Sequence, residues 1–279
     1  MIASFIITFR ETLEAALIIG IILSFLARTK QSKYNNVVYI GIVFGLIASI
    51  IGALLFINLA GGFEGRAEQI FEGIVMLIGA LLLTTMILWM MKQRHVTVEL
   101  EHKVEKNIIE SNRFGLFLLV FISILREGIE TIIFLGAASV ASAGNSLIGG
   151  FGGIVTAMFL GYIIFVGSKK INIKKFFSIT SILLILFAAG LVAHGIHELG
   201  EAKIIPSIIN EIWNINPPAP LADKGIYPLL HENGYIGSVL RGLFGYNGNP
   251  SLIELIAYLV YLILAFVLWK NIKKIHKLI

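Results

Sequence analysis

Two short runs of residues can do chemistry. Arg10-Glu11-Thr12-Leu13-Glu14 and Arg126-Glu127-Gly128-Ile129-Glu130 share the pattern R-E-x-x-E and lie 116 residues apart, each followed by a glycine, Gly20 and Gly136. On a helix, glutamates at i and i+3 share a face, and an arginine at i reaches a glutamate at i+4. If the two runs met, four carboxylates and two guanidiniums would sum to −2. Each arginine would hold one glutamate, and protons could neutralise the rest until a multivalent cation displaced both. Carboxylate oxygens suit hard cations. The chain has no cysteine, which excludes thiolate sites, disulfides and cysteine nucleophiles, so any metal must be held by oxygen or imidazole.

The elements that must position these groups are long and apolar. Of 279 residues, 57% are hydrophobic and 14% charged, against about 25% charged in soluble domains. Mean hydropathy is +0.89. An ordinary soluble enzyme, a disordered chain and a fibre are all excluded. A membrane-crossing helix needs about 20 mostly apolar residues. Such stretches occur near 3–27, 37–60, 70–91, 114–139, 148–167, 176–196 and 251–269. They predict an all-α integral membrane protein with seven transmembrane helices. The N-terminus lacks the basic region of a cleaved signal peptide, and Arg10 and Glu11 break its apolar run.

Lysine and arginine gather in cytoplasmic loops. Loops after spans 1, 3, 5 and 7 hold 16 of them, and the opposite side holds only Arg66, Lys203, Lys224 and Arg241. The N-terminus is therefore expected outside and the C-terminus inside. The net charge of +5 divides into +12 on cytoplasmic segments, −3 on outer loops and −4 within the spans. The basic balance is a topology signal and gives no reason to expect nucleic acid.

The two R-E-x-x-E copies sit three spans apart, so they cross the membrane in opposite directions. Spans 2 and 5 also echo each other. Gly41, Gly45, Ser49 and Ala53 make one small-residue stripe, and Gly149, Gly153, Ala157 and Gly161 make another. Such stripes let helix backbones approach closely, and spans 2 and 5 are expected to face each other. The plan is an inverted-topology repeat of three plus three helices with one helix added, a plan common in secondary transporters. A single transmembrane domain covers 1–279. Repeat 1 runs to about 91, and a cytoplasmic linker at 92–113 reads as a short solvated helix. Repeat 2 is about 114–196, an extracytoplasmic loop 197–250, and helix 7 about 251–269. The loop contains Pro217, Pro218, Pro220 and Pro228 but also Ile212, Trp213, Leu229, Leu230, Tyr235, Leu243 and Phe244. It is expected to pack on the outer face of the bundle.

A charge at mid-membrane costs about 2.5–3.5 kcal/mol on insertion scales, and ionisable residues there are functional by default. Buried ion pairs acting only as glue are a weak source of stability, and duplication at matching depth exceeds what glue requires. Candidates for collecting a cation at the outer surface are weaker. His194, His197, Glu198 and Glu201 end span 6, where a polar helix terminus is also an ordinary interfacial feature. Glu64, Glu68 and Glu72 approach or open span 3, and Glu254 opens span 7. Helix N-termini stabilise carboxylates without any function. His194 to Glu201 does not form H-E-x-x-H, so a zinc-protease site is weakly supported. His231 and Glu232 carry no signal above interface anchoring, and His95, His102 and His276 look solvated.

The sequence resembles the high-affinity iron permeases, or oxidase-dependent iron transporters, over essentially its whole length. Members include the fungal plasma-membrane permease and the permease of the bacterial elemental ferrous iron uptake system. The resemblance rests on both R-E-x-x-E copies, on Phe71-Glu72-Gly73, on the Thr84–Met91 end of span 3, and on Leu240-Arg241-Gly242-Leu243-Phe244-Gly245-Tyr246 with Pro250. One departure is Thr12, where the family often has glycine. The resemblance implies iron import across the cell membrane, with Glu11, Glu14, Glu127 and Glu130 handling the ion and Arg10 and Arg126 balancing charge. It implies iron as substrate, ferric or ferrous, with no cofactor and no enzymatic activity. It also implies a separate extracytoplasmic ferroxidase or iron donor. Beyond the lipid bilayer and these partners, a homo-oligomer stays open. Rival readings are a permease for manganese or lead, and a membrane di-iron carboxylate oxidase. The oxidase usually needs two E-x-x-H motifs, which the midplane lacks.

Overall fold

The computed structural model describes residues 2–92, 96–141, 146–166, 173–206, 209, 211–215, 217, 225–231 and 233–278. His95, Pro218, Pro220, Lys224 and Glu232 lie outside them. Among the described residues every regular element is helical. In chain order these are α1 (Ile2–Arg28), a 3-10 turn (Ser32–Tyr34), α2 (Asn35–Ala60), α3 (Arg66–Lys92) and α4 (Val96–Ile109). There follow α5 (Arg113–Ala141), α6 (Ser146–Val166), α7 (Ile173–Glu201), α8 (Tyr235–Phe244) and α9 (Leu252–Leu278). Each predicted apolar stretch lies on a helix. Five segments are long and apolar enough to cross a membrane: Ser32–Ala60, Arg66–Trp89, Leu147–Ile164, Ile179–Glu201 and Leu252–Asn271. α1 and α5 are as long, 27 and 29 residues, but each carries the three charges of its R-E-x-x-E run. α2 and α9 turn wide apolar faces outward, Ile50, Leu54, Leu55 and Ile57 on one and Ile263, Leu264 and Phe266 on the other. Such faces suit lipid, since soluble monomers rarely expose contiguous apolar patches of that extent.

The packing has a regular plan. α1 lies against α6, α2 against α5, and α3 against α7, while α1 also meets α5. Exchanging spans 1 with 4, 2 with 5 and 3 with 6 maps these pairs onto one another. The small-residue stripes make the two outer pairs close, but they do not face each other as expected. A Cβ added at Gly41 or Gly45 would fall 2.9 Å from Val120 Cβ or 2.8 Å from Ile124 Cβ on α5. A Cβ at Gly153 would run into Thr8 and the Phe5 carbonyl of α1. Each stripe packs on a motif-bearing helix, that of α2 on α5 and that of α6 on α1. Thr8 adds a hydrogen bond across this contact, from Oγ1 to Gly150 O at 2.8 Å.

Two apolar cores flank the charged runs. One gathers Ile7 of α1 with Met76, Leu83, Phe134, Phe187 and Leu191. The other gathers Ile22, Phe25 and Leu26 with Tyr34, Val38, Val104, Leu116 and Ile124. The second core contains Val104 of α4, so the charged linker helix is docked, with Arg28 Nη2 at 2.8 Å from Glu101 Oε1 holding its edge.

Segment 197–250, expected as a loop, is helical in part. α7 continues to Glu201, and α8 forms within the segment. Gly245 ends α8 in the left-handed conformation, φ +64°, and its Cα lies against Gly190, where a Cβ on either glycine would collide with backbone. Gly190 is 11 residues before the end of α7, about 16 Å at 1.5 Å per residue. The short helix therefore descends beside α7 because two glycines remove the bulk between them.

Candidate functional site

α1 and α5 bring the two R-E-x-x-E runs together. One carboxylate oxygen from each of Glu11, Glu14 and Glu127 lies within 4.8 Å of the others. This is the only group of three or more such ligands found among the described residues. Each arginine holds the glutamate one turn on: Arg10 Nε lies 3.1 Å from Glu14 Oε1, and Arg126 Nε donates to Glu130 Oε1 at 2.8 Å. Their contacts with the adjacent glutamates are longer, 3.8 Å from Arg10 Nη1 to Glu11 and 4.0 Å from Arg126 Nε to Glu127. One oxygen of Glu127 and one of Glu130 are buried without a hydrogen-bond partner among the described residues. Unsatisfied buried acceptors are costly, so a proton or a cation at these oxygens would relieve that cost.

The two halves of the site are not equivalent. Arg10 is fully buried, whereas Arg126 is 42% exposed and lies over Trp89 of α3, with Cζ 4.7 Å from the ring centroid. The third positions of the runs also differ. Gly128 meets Ser49 of α2, where a Cβ would collide with the hydroxyl. Thr12 falls in register between Thr8 and Ala16, which pack on Gly153 and Gly161, so the residue opposite it is Ala157. The larger side chain has moved from α2 to α1, and Thr12 fits where glycine is otherwise common.

The outer candidates separate into groups. Glu68 and Glu72, in the first two turns of α3, interact electrostatically with Glu198 of α7. Glu64 precedes α3, is exposed, and takes no part in that group among the described contacts. Glu201 is the last residue of α7 and acts on His197 and Glu198. Glu254 is buried. Its Oε1 accepts from the Ser251 backbone N–H and lies 2.9 Å from His197 Nδ1, and its Oε2 accepts from Asn247 Nδ2, each at 2.9 Å. Ser251 Oγ accepts in return from the Glu254 N–H at 3.3 Å. This is a capping box, which pins the start of α9 to the end of α7. His194 is buried, donates from Nδ1 to Gly190 O at 3.0 Å, and feels the charge of Arg241. It sits beside the Gly190–Gly245 contact and also feels the charges of Glu254 and His197.

Sequence reasoning passed over two residues at the main site. Trp89 was covered only by the Thr84–Met91 stretch that carries the resemblance, and was otherwise read as interface anchoring or core packing. Ser49 was read only as part of a packing stripe, and its position opposite Gly128 needs the α2–α5 register.

The sequence profile described as the iron permease FTR1 family matches residues 1–277. The chain is 35% identical over 272 residues to the ferrous iron permease EfeU of Escherichia coli O6:H1, covering 96% of this chain and 94% of that protein. It is 33% identical over 274 residues to the ferrous iron permease EfeU of Yersinia pestis, covering 96% and 93%. No solved structure matches the chain.

Proposed function

The chain belongs to the iron permease FTR1 family, and from that premise we propose that it imports iron across the cell membrane between α1 and α5. Its relatives are permeases, not enzymes. The observation that carries the reading is the convergence of Glu11, Glu14 and Glu127 within 4.8 Å, with Glu130 held one turn away by Arg126. Hard oxygen donors in that number suit a di- or trivalent cation. Arg10 and Arg126 neutralise the carboxylates while no ion is bound and are displaced, or share charge, when one arrives. Glu68, Glu72 and Glu198, with Glu201 and His197 near them, would concentrate cations at the ends of α3 and α7, and Glu64, exposed just before α3, would add to the negative charge.

The topology we propose has seven spans in an inverted three-plus-three repeat with α9 added, N-terminus outside. The exchange-invariant pairing of helices and the division of basic residues between the two sides support it. A separate ferroxidase or iron donor would supply the outer face. The relatives' names point first to ferrous iron.

The test is uptake by purified protein in sealed vesicles, with ferrous iron under reductant, ferric iron without it, and manganese and lead as alternatives. Iron should enter fastest. Glu→Gln at position 11, 14, 127 or 130 should reduce entry to the level of empty vesicles at unchanged protein abundance. Normal iron entry through a well-folded Glu127→Ala variant would sink the carboxylate path.

A further inference from the structure

Arg126 and Trp89 stand at the open end of the carboxylate group. Gly79 packs on Ala137 and Trp89 on Arg126, so α3 and α5 run antiparallel and Trp89 comes level with the second R-E-x-x-E run. Trp89 lies three residues before Lys92, the last residue of α3. In the topology proposed above, that is the cytoplasmic end. Arg10 at the other half is sealed, and Arg126 is the exposed cation of the pair. An ion leaving Glu127 and Glu130 toward the cytoplasm must pass a guanidinium.

We propose that Trp89 is a positioning residue that keeps the Arg126 guanidinium beside the inner exit and out of the ion's path. The geometry lets Arg126 make two contacts at once. Its Nε donates to Glu130 at 2.8 Å, while its Cζ lies 4.7 Å over the centroid of the indole ring. When a cation takes the Glu130 oxygen, Nε loses its partner and is repelled. The indole face remains, because an aromatic quadrupole attracts a guanidinium and does so more strongly as water is excluded. Arginine is suited to this, since a planar ion stacks where an ammonium cannot. Without the ring, Arg126 would fall back on Glu127 and Glu130 and obstruct release.

This inference rests on the proposed passage of iron by Glu127 and Glu130. Its test grades the ring's electrostatics without changing its shape. Tryptophans carrying one to four fluorines are placed at position 89 by stop-codon suppression, and vesicle uptake is measured as a maximal rate and an apparent KM for external iron. The maximal rate should fall stepwise with fluorination, to roughly one fifth for a contact of the size typical of exposed cation–π pairs. The apparent KM should stay within about twofold, because capture from outside does not involve the ring. Trp89→Leu should match the most fluorinated protein, and in an Arg126→Gln background the fluorine series should be flat. A maximal rate that does not respond to fluorination overturns the inference even if Trp89→Leu cannot be folded. So does an undiminished fluorine dependence in Arg126→Gln. Failure of the carboxylate path would show separately, as normal uptake by Glu127→Gln.

Discussion

Removing Arg10 should damage the protein far more than removing Arg126, although the two occupy the same place in a repeated sequence. Arg10 is fully buried, with Nε 3.1 Å from Glu14 and Nη1 3.8 Å from Glu11. Breaking a buried pair from one side leaves an uncompensated charge and costs about 3–5 kcal/mol. Arg126 is 42% exposed. Its loss forfeits a part-solvated ion pair and a ring contact, about 1–2 kcal/mol together. One kcal/mol moves the midpoint of a 150–250-residue protein by about 2–4 °C. Arg10→Gln should thus melt roughly 10 °C below the parent and Arg126→Gln roughly 5 °C or less below it. The assay is thermal unfolding in lipid nanodiscs at two pH values. With Arg10 gone, a proton becomes the available countercharge for the Glu11–Glu14 pair. The Arg10→Gln deficit should therefore shrink as pH falls and grow as it rises. Equal midpoints for the two variants, or a deficit for Arg10→Gln that ignores pH, would refute the unequal burial of the two motif copies.

The helix contacts make further expectations. Gly153→Val should unfold or misassemble the protein, since backbone of α1 occupies the space, whereas Gly200→Ala, with nothing within 4 Å of its added Cβ, should be silent in the same melting assay. Gly245→Ala should be strongly destabilising, because it combines a left-handed backbone with direct contact on Gly190. Ser251→Ala should cost about 1 kcal/mol as the loss of an N-cap. Glu254→Ala should cost more, about 2–3 kcal/mol, since it strands His197, Asn247 and the Ser251 N–H. If Glu254 also collects cations, Glu254→Gln will raise the apparent KM for iron. If it only caps α9, the KM will not move.

What could be read from the sequence was whatever repeats along one helix. Apolar length placed each long helix, and R-E-x-x-E declared its own intrahelical pairs, Arg10 with Glu14 and Arg126 with Glu130, because i and i+4 are neighbours on any helix. The linker helix over 92–113 was legible for the same reason. What could not be read was which helix stands beside which. A small-residue stripe announces a close neighbour but not its identity, so Gly41 and Gly45 pointed at span 5 when their partner is α5. α8 was missed because its segment is broken by prolines and carries too little apolar length, and its descent beside α7 depends on one glycine pair 55 residues apart.

Duplication accounts for the convergence of the carboxylates but not for their use. Two identical halves facing each other would give an ion no reason to prefer one direction of exit. Here the surroundings of the two motif copies differ at three places. Thr12 stands against Ala157 by register, while Gly128 stands against Ser49. Arg10 is sealed between two apolar cores, while Arg126 is open and laid on Trp89. Tyr261 of α9 shares a hydrogen bond with Thr84 of α3, five residues from Trp89. α9 thus buttresses the same helix that carries the aromatic ring. If iron passes between α1 and α5 as proposed, its directionality is best sought in these differences between the two motif copies, where one arginine is sealed and its counterpart is part-exposed over an aromatic ring.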